Sequence, residues 1–224
     1  QFSKIKNFYI TASGGPFLNY NLKDFKHITP AKALKHPKWK MGKKISIDSS
    51  TLMNKALEII EAKYLFNLDT DQINAIIHPQ SIVHAMINYK NGISKALLYN
   101  PDMRVPISSL FFDFDTAING LSELSLSSSP NLEFRVIDSK KFPAINLAYN
   151  VLELGGIAPN IFNYLNECLV NNFLAGKIKF TDIVDLNNEN MDKFFKKNSN
   201  INNPNYEDIV NVNNWIDKNL YLGK

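Results

Sequence analysis

"SIDSSTLMNKALEIIEA" (residues 46–62) decides how this chain is read. Its apolar residues recur at helical spacing, and a helix over residues 50–66 is predicted. A helix that only had to pack would not crowd Ser49, Ser50, Thr51, Asn54 and Lys55 into its first turns, nor set Glu58 among Leu57, Ile59 and Ile60. Glu58 follows Asn54 by four positions and Lys55 by three, so all three lie along one side of the helix.

Those residue types suit a phosphate monoester. A dianion is held by the unpaired amides of a helix N-terminus, by hydroxyls that turn to donate, and by an ammonium. Ser49 stands at the expected helix mouth with Asn54 and Lys55 just inside it. Upstream, "SGGPF" (residues 13–17) offers Ser13 and further amides, so the two segments together can form a phosphate cradle. Each residue also has a purely structural reading: Ser49 or Ser50 as an N-cap, Lys55 as a solvated charge, Ser13-Gly14-Gly15 as a turn. Glu58, at the edge of an apolar face, needs a partner. Spacing leaves two open: Lys55, or a divalent metal ion bound through carboxylate oxygen. One glutamate does not complete a metal site, and the sequence shows no second carboxylate cluster of suitable spacing.

The chain has 224 residues, 45% of them hydrophobic and 21% charged, an ordinary globular composition long enough for a sizeable core. Its formal charge of +4 permits an anionic small substrate but supplies no basic stripe for nucleic acid, so no nucleic-acid partner is expected. The single cysteine, Cys168, excludes an intramolecular disulfide and a cysteine-based zinc site. No apolar run reaches the roughly 20 residues of a membrane span, so no membrane partner is expected either. The chain opens at Gln1 directly into strand-like sequence, from which a preceding segment is expected. Asparagine is dense over residues 187–214, the mark of coding bias or of a solvated insertion.

Outward from the central helix, residues 6–12 ("KNFYITA") predict a strand, and the glycines of "SGGPF" an abrupt turn. Residues 27–44 predict a short helix and then an exposed basic loop, broken by Pro30 and Pro37. Within it "HPKWKMG" (residues 36–42) puts His36, Trp39 and Met41 together. Either it is a lid that shuts over ligand, or it packs statically on its own domain. "SIVHAMINY" and "ISKALLY" flank Asn91-Gly92, a two-residue hairpin signal. His84 reads as a polar neighbour of the site or a satisfied core histidine; His78 is not paired with it as a metal ligand, because Pro79 interrupts the strand between them, and His27 reads as surface. Residues 111–141 have little period apart from a strand candidate at 132–137. Beyond them apolar spacing predicts helices from "FPAINLAYNVLELGG" to "YEDIVNVNNWIDKNL", with Gly155-Gly156 and Gly176 at C-terminal caps. The expected fold is α+β. Residues 1–110 form a partial catalytic domain with an open mixed or antiparallel sheet and helices, residues 111–141 a linker, and residues 142–224 a C-terminal helical bundle.

In this order and separation "TASGGPF", "HPKWKMGKKISIDSSTLMNKALEIIEAKYLF", "HPQSIVHAM" and "PDMRVPI" closely resemble the 1-deoxy-D-xylulose 5-phosphate reductoisomerase family. The likeness is weaker through the helical part, where "FPAINLAYNVLELGG" and "LAGKIKFTDIV" are landmarks. The resemblance implies metal-dependent rearrangement of 1-deoxy-D-xylulose 5-phosphate and its reduction by NADPH to 2-C-methyl-D-erythritol 4-phosphate, a step of isoprenoid synthesis. It implies that Ser13, Ser49, Asn54 and Lys55 hold the phosphate and that His36 meets the substrate from the lid with Trp39 and Met41. Glu58 would ligate Mg2+ or Mn2+ and touch the substrate. Glu58, His36 and Lys55 would be the catalytic residues. Gly42, Met41 and Met103 would contact NADPH, and Trp39, Met41, Pro101 and Met103 would wall off water. The family's dinucleotide-binding domain and its other metal carboxylates are absent from this sequence. The chain alone is therefore expected to be inactive, with activity belonging to a longer polypeptide; the alternative is a non-catalytic phosphosugar-binding or assembly fragment. The family implies a homodimer joined through its catalytic domains, with the Asn91-Gly92 hairpin a candidate contributor. The asparagine content suggests an apicomplexan source with a plastid location, failing which the cytoplasm.

Overall fold

The structure, a computed structural model, describes residues 4–35, 42–113, 116, 119–125, 127 and 131–220. It has four strands and eight α-helices among those residues: β1 (Ile5–Ala12), α1 (Pro30–Ala33), α2 (Lys43–Thr51), α3 (Met53–Phe66), β2 (Ile73–Ile77), β3 (Val83–Tyr89), β4 (Ser94–Leu98), α4 (Arg104–Ser108), α5 (Ala144–Leu154), α6 (Ala158–Leu174), α7 (Asp182–Lys197) and α8 (Tyr206–Asn219). No helix among the described residues is long and apolar enough to cross a membrane.

The chain divides into two compact units, Gln1–Ser13 with Asp71–Ile137, and Gly14–Thr70 with Asp138–Lys224. In the first, the strands form one open mixed sheet in the order β2-β1-β3-β4, as the α+β expectation requires. β1 pairs in parallel with β2, Phe8 opposite Ile73 and Ala12 opposite Ile77, and antiparallel with β3. A parallel pair needs a crossover rather than a hairpin, and here residues 13–72 supply it. That crossover carries α1 to α3, and α3 packs on α5 while α2 packs on α6. The spatial grouping therefore interleaves along the chain, whereas the division at 110 and 141 drawn from sequence is contiguous.

The β3–β4 hairpin forms where Asn91-Gly92 signals it, but with a three-residue loop. Tyr89 N–H donates to Ile93 O at 2.8 Å, Gly92 N–H donates to Tyr89 O at 3.0 Å, and Gly92 takes φ +87°. That is a type I turn closed by a left-handed glycine instead of a two-residue turn. The strand expected over 132–137 is reduced to one bridge, in which Ile77 and Arg135 exchange backbone hydrogen bonds of 2.9 Å.

The second unit buries two kinds of core. Phe17, Phe25, Phe142, Phe173 and Phe180 meet edge to face with centroids 5.4 to 6.2 Å apart, a geometry favoured by the ring quadrupole. Around α6, Ile161, Phe162, Leu165 and Leu169 are fully buried. Helix starts follow sequence chemistry. Thr29 caps α1 ahead of Pro30, and Asn205 with Asp208 forms a reciprocal capping box on α8.

Candidate functional site

The segment quoted at the start is two helices, not one. α2 runs Lys43–Thr51, Leu52 takes a left-handed backbone with φ 59°, and α3 begins at Met53. The expected helix at residues 50–66 is thus corrected. Lys43 and Lys44, placed in a loop by the sequence reading, already belong to α2, and Ser49 lies in the last turn of α2 rather than at a helix mouth. The reason is local. Ser50 and Thr51 hydroxyls donate back to Ile47 O at 2.7 and 3.1 Å, which competes with continued helix. A left-handed leucine costs about 1–2 kcal/mol; burial of its side chain offsets that cost.

The break sorts the polar residues. Ser46 Oγ donates to Gly42 O at 2.9 Å, and Ser46, Ser50 and Thr51 are buried with their hydroxyls committed to backbone. These three are structural. Between Ser46 and Met53, Ser49 alone is not buried, and its hydroxyl makes no hydrogen bond among the described residues. The first amides of α3 have no acceptor within their own helix; the Met53 amide is met by Thr51 Oγ1 at 3.2 Å. Asn54 and Lys55 follow in that first turn.

Gly15 closes this junction. With φ +65°, it lies so near α2 that a Cβ would stand 2.7 Å from Ser49 O and 3.2 Å from Ser50 Cα. The glycine turn inferred from "SGGPF" is therefore seated on the segment that carries Ser49. Ser13 ends the first unit's N-terminal segment, immediately after β1.

Asn54, Lys55 and Glu58 share one side of α3, as their spacing requires. Asn54 Nδ2 donates to Glu58 Oε1 at 2.7 Å, and Lys55 Nζ donates to Glu58 Oε2. Of the two partners left open for Glu58, the structure supplies Lys55. One turn on, Glu61 has its carboxyl pushed above the usual range by burial and then by the Glu58 charge, against the pull of Lys55. Sequence reasoning passed over this second carboxylate, although its spacing of three from Glu58 marks it. Among the described residues no group of three His, Cys, Asp or Glu side chains is placed to hold a metal ion. A single carboxylate such as Glu58 matches the donor type that hard cations take, which accounts for one position of a metal site and not a whole one.

Gly42 is the N-cap of α2, and Met103, exposed, is the N-cap of α4. His36, Trp39 and Met41 lie outside the described residues, as does the lid expected there. His84 Nε2 meets Tyr99 O at 3.1 Å and its ring stacks on Tyr99, while His78 Nδ1 meets Glu133 O at 2.8 Å. Both thus have structural partners, and His27 is exposed. Sequence reasoning also missed Asp48 and Asn166. Asp48 Oδ1 accepts from Asn166 Nδ2 at 2.8 Å and its Oδ2 from Lys44 Nζ at 2.7 Å. The i,i+4 spacing from Lys44 was visible; no sequence signal tied residue 48 to residue 166.

Two family descriptions match the chain: the 1-deoxy-D-xylulose 5-phosphate reductoisomerase C-terminal domain over residues 1–66, and the DXP reductoisomerase C-terminal domain over residues 98–219. Among curated proteins, the 1-deoxy-D-xylulose 5-phosphate reductoisomerase of Desulforamulus reducens is 43% identical over 213 residues, covering 95% of this chain and 54% of that protein. The enzyme of the same name from Clostridium novyi is 47% identical over 211 residues, again covering 54% of its length. A crystal structure of DOX-P reductoisomerase in complex with NADPH, fosmidomycin and magnesium superposes with a TM-score of 0.89 at 37% identity, over 96% of this chain and 54% of that one. The chain spans about half the length of the relatives it matches.

Proposed function

Because the chain belongs to the 1-deoxy-D-xylulose 5-phosphate reductoisomerase family, we propose that it forms the phosphate-holding part of such an enzyme. The longer polypeptide carrying it converts 1-deoxy-D-xylulose 5-phosphate to 2-C-methyl-D-erythritol 4-phosphate with NADPH and Mg2+ or Mn2+. The observation that carries this reading is the α2–α3 junction: a Ser49 hydroxyl uncommitted among the described residues in the last turn of α2, followed by the first turn of α3, where Asn54 and Lys55 both hold Glu58.

In the proposed complex the phosphate takes the Ser49 hydroxyl, the Asn54 amide and the Lys55 ammonium. A dianion outcompetes a single carboxylate for an ammonium and a neutral amide. Glu58 is thereby released toward the substrate oxygens and one coordination position of the cation. The bound cation supplies Lewis-acid polarisation of neighbouring carbonyl and hydroxyl oxygens. Its remaining carboxylates, and the dinucleotide-binding domain, belong to an upstream part of the polypeptide. Ser13 is kept among the phosphate ligands, His36 as a catalytic contact, and Gly42, Met41 and Met103 at NADPH, on the family resemblance; Trp39 closes with the lid. Phosphate binding anchors the substrate away from its reacting carbons. Residues 1–110 carry the substrate-facing groups, 111–141 connect, and 142–224 support.

The enzyme works as a homodimer. β4 is an edge strand with exposed residues over Ser94–Leu97, flanked by exposed Ile93; an edge with unpaired amides and carbonyls and apolar side chains is a surface for a second copy. The plastid setting suggested by asparagine content finds no support in the bacterial relatives. The test is NADPH consumption with 1-deoxy-D-xylulose 5-phosphate and Mg2+. The longer polypeptide turns over and this chain alone does not. Failure of the longer polypeptide, with or without Mn2+ in place of Mg2+, refutes the assignment.

A further inference from the structure

Asp48 is 2% exposed and Asn166 is fully buried. A buried carboxylate costs several kcal/mol unless its oxygens are met, and here both are, by Lys44 and by Asn166. Asn166 gains less from the arrangement. Its Nδ2 serves Asp48, while its Oδ1 is buried with no partner among the described residues. It also interrupts a face of α6 that is otherwise apolar, between Leu165 and Leu169. Such an orphaned oxygen is a standing cost, and buried polar pairs are often matched or bettered in stability by apolar residues of similar volume. Stability alone does not explain why this pair is polar.

Position does. Asp48 is the residue before Ser49, and a helix fixes the direction of residue 49 once residue 48 is held. The bond to Asn166 sets the rotation of α2 about its axis against α6, and Gly15 abuts the carbonyl of the same Ser49 from another side. We propose that Asp48 and Asn166 are positioning residues: through one bond across 118 positions of the chain, the C-terminal helices aim the Ser49 hydroxyl at the phosphate. This rests on the reading that Ser49 is a phosphate ligand.

The test uses this 224-residue chain with inorganic phosphate as the probe, followed through the amide NMR signals of Ser49 and Lys55, beside chemical unfolding of each variant. The double variant Asp48→Leu/Asn166→Leu is expected to unfold at an equal or higher denaturant midpoint and yet bind phosphate about tenfold more weakly, the size of one misdirected bond to a charged group. A purely structural pair leaves affinity intact wherever stability is intact, and that result overturns the proposal. Should the double variant not fold, Asn166→Leu, which leaves Asp48 its bond to Lys44, is read in the same way. Ser49→Ala separates the premise from the inference. If Ser49→Ala weakens phosphate and the apolar pair does not, only the positioning role falls; if Ser49→Ala has no effect, the phosphate reading of Ser49 falls and takes the positioning role with it.

Discussion

Gly15 and Gly156 occupy two corners of the same unit that use one device for different ends. Each has positive φ and each is pressed against a backbone carbonyl, Gly15 against Ser49 O and Gly156 against Ile201 O. Around Gly156 the polar groups are spent on the fold: Asn200 Nδ2 donates to Leu154 O at 2.7 Å, and Asn200 Oδ1 accepts from Ile157 N–H at 3.3 Å. That corner joins α5 to α6 and is complete. At the junction that Gly15 abuts, the Ser49 hydroxyl is uncommitted among the described residues, and Asn54 and Lys55 both donate to Glu58. Close backbone packing does not by itself mark a site; unspent polar groups beside it do.

Substituting the two glycines breaks the comparison open. Gly156→Ala puts a Cβ 2.4 Å from Ile201 O and 2.7 Å from Asn200 Oδ1 at φ +53°. Left-handed strain and steric overlap together should cost about 2–5 kcal/mol, read as a lower denaturant midpoint. The folded fraction should keep its affinity for phosphate-bearing ligands. Gly15→Ala meets Ser49 O at 2.7 Å, and a somewhat smaller loss of about 2–4 kcal/mol is expected, this time with weakened phosphate binding in the protein that remains folded. Equal affinity in both variants would erase the distinction between the two corners.

How far the sequence disclosed these corners follows from the range of the forces involved. The glycine turns, the helices of residues 142–220, the hairpin and the shared side of Asn54, Lys55 and Glu58 rest on local periodicity and turn chemistry, and they were legible. The break at Leu52 was not. It depends on hydroxyls of Ser50 and Thr51 bonding back to Ile47 and on burial of a strained leucine, so helical spacing ran straight through it. The parallel β1–β2 pair and the Asp48–Asn166 bond join residues separated by most of a domain, for which one sequence carries no pattern. Glu58 shows the middle case: spacing named its two possible partners, and the fold forms the contact with Lys55.

That contact yields a sharper, smaller test. Lys55→Ala removes a buried lysine side chain bonded to a glutamate that is one-third exposed, so the lost bond and the lost packing of the lysine stem should cost about 1–3 kcal/mol of stability. Affinity for phosphate-bearing ligands should fall about 10- to 100-fold, from a bond to a charged group worth about 1.5–3 kcal/mol. Dephosphorylated analogues should lose far less. Titration of both ligand types against the variant checks this, and an equal loss for both would remove Lys55 from the cradle and leave it as the fold's partner for Glu58.

The smallest effect is expected where polar groups only serve the fold. At the start of α7, the Asp185 carboxyl is pushed above its ordinary range by desolvation and by the charges of Asp182 and Glu189. Below the ordinary carboxylate range Asp185 is protonated whether the chain is folded or not, and it carries no penalty. As pH rises through that range the unfolded chain ionises first, so stability is lost up to the raised native value and stays reduced above it. The amino end of α7 favours a negative charge by about 0.3–1 kcal/mol, which offsets part of the gain from neutralising the side chain. Asp185→Asn should therefore raise the unfolding midpoint slightly at neutral pH and not at all in acid below the carboxylate range. Its phosphate affinity should match the unsubstituted chain at both. A gain that persisted in acid would mean that packing, not charge, had changed; a shift in phosphate affinity would show the bundle and the junction to be less separate in function than Gly156 and Gly15 imply.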